Sequence, residues 1–160
     1  MKPTFEGPVL FVADMKASRP FYTEVLEQEE LFAVEDAYTA YKGFALWTAK
    51  DALSMMHKTL PDGTDTPQGR NNLELYFETP ALEAALENLR EHDVALLNDI
   101  HEQPWGQRAF RILDPDGHII EFAEPMGVVA LRFHNQGYSP QEIADKTMTP
   151  VDEVKRLITS

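Results

Sequence analysis

Asn72-Leu73-Glu74-Leu75-Tyr76-Phe77-Glu78-Thr79 decides how the chain is read. Leu73, Leu75 and Phe77 alternate with Asn72, Glu74, Tyr76 and Glu78, the period of a strand with one apolar face. Thr79 then offers a helix cap and Pro80 a first helical position. Residues 80–92 follow as an amphipathic helix, with Leu82, Ala85, Leu86 and Leu89 on one face and Glu83, Glu87, Asn88 and Arg90 on the other. The same design stands earlier in the chain. Pro8-Val9-Leu10-Phe11-Val12-Ala13-Asp14 is a β-type run ending in a cap, and residues 15–26 have helical character.

Three strand-like runs follow each helix: 30–34, 38–41 and 44–47 after the first, 94–97, 108–113 and 118–123 after the second. Asp114-Pro115-Asp116-Gly117 joins the last two as a hairpin, with Pro and Gly supplying the turn dihedrals. The pattern is β-α-β-β-β twice, with a period of about 64 residues. The predicted fold is therefore α+β: modules at about 7–60 and 71–125 form one domain over 1–125, and 126–160 is a helical C-terminal extension. Residues 51–58 read as a short helix with Leu53, Met56 and His57 on one side. Residues 60–71, with two prolines and two glycines, read as the linker. A four-stranded sheet with one helix has only one face covered, so the other face needs a second module or a ligand.

Composition narrows the function classes. The 160 residues are 43% hydrophobic and 26% charged, as in ordinary globular proteins. No apolar run reaches the roughly 20 residues of a membrane helix. Met1-Lys2-Pro3-Thr4-Phe5-Glu6 has no apolar core of a secretory signal, so a cytoplasmic location is expected. There is no cysteine, which excludes disulfides, thiolate metal sites and cysteine nucleophiles. The net charge of −13 lies entirely within residues 1–125, while 126–160 hold four basic and four acidic side chains. Such a body repels phosphate backbones and favours cationic ligands.

The extension reads as three helices. Residues 127–136 form one that ends at Gly137. Ser139-Pro140-Gln141-Glu142 is a capping box with Pro at the first helical position, and Thr149-Pro150-Val151-Asp152 repeats that design. Gly137-Tyr138-Ser139-Pro140-Gln141-Glu142-Ile143-Ala144 through Val154 is similar to a helix-turn-helix. Its second helix would present Asp152, Glu153, Lys155 and Arg156, a net charge of zero, where a groove reader brings cations or amides forward. Nucleic acid is not expected as a partner. The apolar residues Val128, Leu131, Ile143, Val154, Leu157 and Ile158 are expected to pack on the body, a second subunit or another protein.

A duplicated βαβββ chain carrying Pro8-Val9-Leu10, Asp14, Phe21-Tyr22, Glu102-Gln103-Pro104-Trp105-Gly106 and Asp114-Pro115-Asp116-Gly117-His118-Ile119-Ile120-Glu121 resembles the vicinal-oxygen-chelate superfamily. That superfamily includes glyoxalase I, extradiol dioxygenases and the bleomycin-resistance proteins. The resemblance covers roughly residues 7–124. It implies paired modules enclosing a cleft, and a homodimer in many members. It also implies a zinc, nickel, manganese or iron ion held by cleft-facing strand residues. The corresponding positions here are Gly7, Asn72, Ala45 or Leu46, and Glu121, of which Glu121 alone keeps a ligand-type side chain. One carboxylate and one amide do not make a transition-metal site, which needs three or four good donors, so no metal or other cofactor is expected.

The five histidines form no His-x-His or His-x₃-His pair. His118 has the opposite strand parity to Glu121, and His92 ends an acidic helix. His57, after Met55-Met56, is the one that can border the cleft. Parity from Glu121 adds Ile119 and Ala123 to the cleft face, parity from Asn72 adds Glu74, Tyr76 and Glu78, and parity from Gly7 adds Val9 and Phe11. The candidate ligand-binding residues are Phe11, Trp47, His57, Glu74, Tyr76, Trp105 and Glu121. Aromatics beside carboxylates suit a planar or cationic organic molecule. Glu74 and Glu121 are also the candidate acid and base of a catalytic site. Each, on a half-buried strand, needs a partner such as Arg108, Arg111 or a ligand. Three functions stay open: a metal-free protein that binds or sequesters a small molecule, a metal-dependent glyoxalase-like lyase, isomerase or dioxygenase, and a ligand-sensing regulator acting through the C-terminal helices.

Overall fold

The structure is a computed structural model that describes residues 3–56 and 61–159. Two four-stranded mixed sheets are followed by C-terminal helices, and the two sheets share one strand order. In the first, β1 (Val9–Val12), β2 (Glu30–Val34), β3 (Tyr38–Tyr41) and β4 (Phe44–Thr48) lie in the order β1-β4-β3-β2. In the second, β5 (Glu74–Glu78), β6 (Leu96–Glu102), β7 (Arg108–Leu113) and β8 (Ile119–Ala123) lie as β5-β8-β7-β6. The described residues contain no helix long and apolar enough to cross a membrane.

The chain packs as two compact units. One comprises Met1–Glu74 with Leu113–Ile119, and the other comprises Leu75–Ile112 with Ile120–Ser160. In the first unit, β1 runs parallel to β4, pairing Phe11 with Trp47, and β3 runs antiparallel to β4, pairing Tyr38 with Trp47. The face bearing Leu10, Val12, Thr39, Tyr41, Phe44 and Leu46 is buried. Tyr22 packs on it, 6.0 Å from Tyr41 and 5.4 Å from Phe44 between ring centroids.

Tyr22 sits in a helix that changes pitch. Asp14 caps α1 (Met15–Pro20) through the Lys16 amide, as expected. The predicted continuous helix over 15–26 instead passes into a π-helical turn, Phe21–Val25. Pro20 lies inside the helix and has no N–H to donate, and the Leu26 amide reaches back five residues to Phe21. The wider turn carries the Tyr22 hydroxyl to Asp114 at 2.8 Å.

Asp114 and Asp116 organise the rest of this unit. Asp114 accepts from Tyr22, from the amides of Asp116 and His118 at 2.9 and 2.7 Å, and meets His118 Nδ1 at 2.9 Å. Asp116 accepts from the Ala13 amide at 2.8 Å, the Gln68 amide at 3.0 Å and the Ser18 hydroxyl at 3.1 Å. Both side chains are buried. Burial and the neighbouring Asp114 charge together push the Tyr22 phenol far above its ordinary range, so Tyr22 is a fixed donor.

In the second unit Phe77, Phe122 and Phe110 stack at 5.6 and 5.2 Å on one sheet face. The second helix, α3 (Leu82–Glu91), buries Leu82, Leu86 and Leu89. It begins two residues later than predicted: Ala81 is the cap, and Thr79 accepts from the Ala81 amide at 3.2 Å ahead of the helix. β6 is longer than the predicted 94–97. Asn98 and Asp99 are poor strand formers, but Asn98 Oδ1 accepts from the Arg111 amide at an irregularity in the β6–β7 pairing. The helix α2 is Ala49–Met56.

The C-terminal helices belong to the second unit: α4 (Met126–Asn135), α5 (Pro140–Thr147) and α6 (Val151–Leu157). Ser139 and Glu142 form the predicted capping box. The second box does not form, because Pro150 is the cap and the Thr149 hydroxyl donates to the Thr147 carbonyl. The three helices bury a common core of Val129, Ala130, Phe133, Ile143, Ala144 and Val154, flanked by Leu157 and Ile158. Leu131, expected on the apolar face, is exposed, and Phe133 takes the inward place.

Replacing Asp116 by Ala strands three donors, one of them in the buried interior. The expected cost is about 3 kcal/mol, from roughly 1–3 kcal/mol per unsatisfied buried group. It is read as a lower urea midpoint at unchanged m-value. A loss under about 0.5 kcal/mol would show that the turn is not the unit's anchor.

Candidate functional site

The opposite face of the first sheet is only partly covered. Register places Val9, Phe11, Ala45, Trp47, Tyr38, Ala40, Phe32 and Val34 on it. Tyr38 meets Trp47 edge-on at 5.9 Å and Phe32 at 5.6 Å, and Trp47 lies directly beside Phe11 on the neighbouring strand. Phe11 and Trp47, both predicted, thus share one aromatic row, half-buried at its centre and exposed at Phe32. Tyr38 and Phe32 were missed. Folding β3 back on β4 about the two-residue turn, which pairs Tyr41 with Phe44, places Tyr38 opposite Trp47. His57 lies outside the described residues.

The second sheet turns Tyr76, Arg111, Glu121 and Ala123 to the side away from the phenylalanine stack. Glu121 is 4% exposed and forms an ion pair with Arg111. Of the predicted partners it is Arg111, because Arg108 has the other parity and binds Glu124 and Glu83. Glu74 was expected to need a partner for burial. It stands exposed at the start of β5.

Trp105 joins this side through a relay. Its indole N–H donates to Gln107 Oε1 at 2.9 Å, Gln107 Nε2 donates to the Tyr76 hydroxyl at 2.8 Å, and that hydroxyl donates to Glu78 at 2.9 Å. Gln107 also donates to the Glu124 carbonyl at 2.7 Å. Burial, then the Gln107 donor in opposition, then the Glu78 acceptor leave the Tyr76 phenol above its usual range. Gln107 was not singled out from the sequence. Parity counted back from Arg111 through Ala109 reaches it.

The positions that the resemblance links to a metal can be read directly. Gly7 has φ +119°, and a Cβ there would overlap the Gly43 carbonyl, so the backbone admits no ligating side chain. Asn72 is exposed. Ala45 and Leu46 are buried and apolar. Among the described residues no group of three or more His, Asp or Glu side chains can hold a metal ion. His118 is engaged by Asp114, and His92 Nδ1 lies 2.8 Å from the Asn88 carbonyl at the end of α3.

The buried Glu124 anchors the loop side of the sheet. Arg108 Nε donates to it at 2.7 Å and Arg132 Nη2 at 3.0 Å, while Arg108 also holds Glu83. Burial pushes the Glu124 carboxyl up, but the Arg108 side-chain and backbone donors and Arg132 outweigh it and hold the group below the usual carboxylate range.

Residues 5–127 match the family model of the glyoxalase-like domain. A protein of unknown function from Agrobacterium tumefaciens strain C58 is 32% identical, with a TM-score of 0.71 over 78% of this chain and 96% of that one. A lactoylglutathione lyase from Agrobacterium tumefaciens is 17% identical, with a TM-score of 0.60 over 78% and 96% of the two chains. A glyoxalase/bleomycin resistance protein/dioxygenase from Nocardioides is 22% identical, with a TM-score of 0.63 over 78% and 84%. The last two likenesses are of fold. No curated protein matches the chain.

Removing either partner of the Arg111–Glu121 pair leaves a charge in a half-buried site. Arg111→Leu or Glu121→Leu alone is expected to cost about 3 kcal/mol, and the double variant to recover most of it. A double-mutant cycle in urea checks this; additive losses would mean the pair is not coupled. The depressed Glu124 stabilises the fold fully above the unfolded carboxyl range and loses this as pH falls through its folded value. Glu124→Gln should therefore lower Tm at pH 7, with the gap to the parent closing below about pH 4. A gap constant from pH 7 to pH 3 would contradict the assignment.

Proposed function

The chain belongs to the glyoxalase-like domain family, and from that premise we propose that it is a small-molecule-binding member that works without the family's metal. The observation that carries this is the Arg111–Glu121 pair. The one metal-type position that keeps a ligating side chain already has its charge met by a guanidinium. Gly7, Asn72 and the Ala45/Leu46 position bring no strong donor to join it, so the residues do not fit a transition metal.

What the exposed faces offer is aromatic surface and carboxylate. The row Phe11, Trp47, Tyr38 and Phe32 supplies stacking area, and Trp105 and Tyr76 supply it on the second sheet with Glu74 and Glu78 on the same strand face as Tyr76. Planar cations gain from both, through ring stacking and charge pairing. The ligand class is therefore an aromatic or cationic organic molecule, bound or sequestered and not transformed. The proposal includes a homodimer and a cytoplasmic location.

The test has two arms. Protein purified without chelator should carry no stoichiometric zinc, nickel, manganese or iron, and its Tm should not move when each is added. About one metal per chain, or a rise of several degrees, would overturn the metal-free reading, because a ligand that binds the native state must raise Tm. Proflavine, a planar aromatic cation, should quench tryptophan fluorescence saturably, and Trp47→Phe and Trp105→Phe assign the signal. Linear, non-saturating quenching would count against the ligand class.

A further inference from the structure

We propose that Arg132 and Phe133 of α4 are positioning residues for the loop that carries Trp105 and Gln107, and that they couple the α4–α6 bundle to that loop. Calling the loop part of a ligand site rests on the function proposed above; the coupling itself rests on contacts within the second unit.

The loop is a tight turn. The Gly106 amide donates to the Gln103 carbonyl at 2.8 Å, and the Gln103 amide to the Gln107 carbonyl at 2.7 Å. Arg132 holds it at its apex and its base. Nη2 donates to the Gly106 carbonyl at 2.6 Å and to Glu124 at 3.0 Å, and Nη1 to Glu102 at 3.1 Å. The planar fork suits three acceptors in one neighbourhood, which an ammonium would not serve as well.

Phe133 closes the other side. Gly106 has φ +85°, and a Cβ on it would lie 2.5 Å from both Cε2 and Cζ of Phe133. Backbone and ring therefore touch with no room between them. The ring cannot give way, because it is 3% exposed within the core formed by Ile143 and Val154. Tyr138 packs against it edge-on at 5.6 Å, and Lys146 lies over it at 5.2 Å.

Beyond Gly106 the path continues through Trp105 and Gln107 to Tyr76. It runs from the bundle core to the open sheet face through packed or hydrogen-bonded groups. Close-packed groups shift together, so loosening the bundle releases the loop, and a ligand that orders the loop orders the bundle by the same free energy.

The chain has two tryptophans, so Trp47→Phe leaves Trp105 as the only reporter. In that background Arg132→Gln removes the hold on the loop, and Ile143→Ala loosens the bundle core without being part of the loop. Each is expected to red-shift Trp105 emission and to raise its acrylamide quenching about twofold, the scale of freeing a half-buried segment. The Trp105→Phe protein, reporting Trp47, should show neither change with the same substitutions. If amide exchange in α4–α6 quickens in Ile143→Ala while Trp105 emission and quenching stay at the parent values, the coupling is overturned. If Ile143→Ala does not fold, Arg132→Gln decides alone: a lower Tm with an unchanged Trp105 signal means a merely structural arginine and overturns the proposal. No dye is used in these measurements, so failure of ligand binding and failure of coupling are separate results.

Discussion

Two buried aspartates, Asp114 and Asp116, hold the first unit together. Their seven contacts come from Ala13, Ser18, Tyr22, Gln68 and the turn itself, so one short turn fixes the end of β1, helix α1, its π-helical continuation and the residues before β5. The amide, hydroxyl and phenol donors among them carry no charge. Each bond to a carboxylate is charge-assisted, and the fixed directions of the donors select one geometry. Residues 113–119 lie between β7 and β8 in sequence but belong to the first unit, so the chain completes that unit only after residues 75–112 of the second unit have been made. The anchor of the first sheet is thus supplied by the turn between β7 and β8.

That anchor shows where sequence reading stops. Asp-Pro-Asp-Gly is legible as a turn because Pro and Gly set local dihedrals. Its donors outside the turn are 48 to 103 residues away, and no local pattern announces them. The strands of the first sheet, the order of elements and the Ser139 capping box were legible for the same local reason. Pro20 was visible in the sequence, and its missing N–H is what widens the helix. β6 was read short because Asn98 and Asp99 have poor strand propensity, which pairing with β7 overrides.

The candidate site divides in the same way. Parity placed Tyr76 and Glu121 on a common side of the second sheet and Val9 and Phe11 on one side of the first, because an alternating pattern fixes the face; that Trp47 lies beside Phe11 comes from register. It also separates Arg111 from Arg108 as the partner of Glu121, a choice left open until register was known. The loop residue Trp105 follows no period; Gln107 continues the parity of Arg111 and Ala109, but its role as the group linking an indole to a phenol shows only in the structure. Glu74 shows the limit of parity: it gives a side of the strand, while exposure depends on what covers that side.

Charge explains the extension. In the second unit Arg108, Arg111 and Arg132 are each bound by carboxylates, so these cations face acids within the protein and the surface keeps the surplus negative charge. In α6, Lys155 pairs with Asp152 and Arg156 with Glu153, one helical turn away. Such pairs lock the helix's cations to its own acids and present little net field to a polyanion. Helices that bring no cationic reading face forward call for another use of their rigidity. The bundle buries Phe133 and thereby fixes Arg132, the residue whose guanidinium spans Glu102, Gly106 and Glu124. A single helix would fray at this length, since helices near ten residues are marginal without tertiary packing. Three short helices around one core give α4 the stiffness that holding a loop requires.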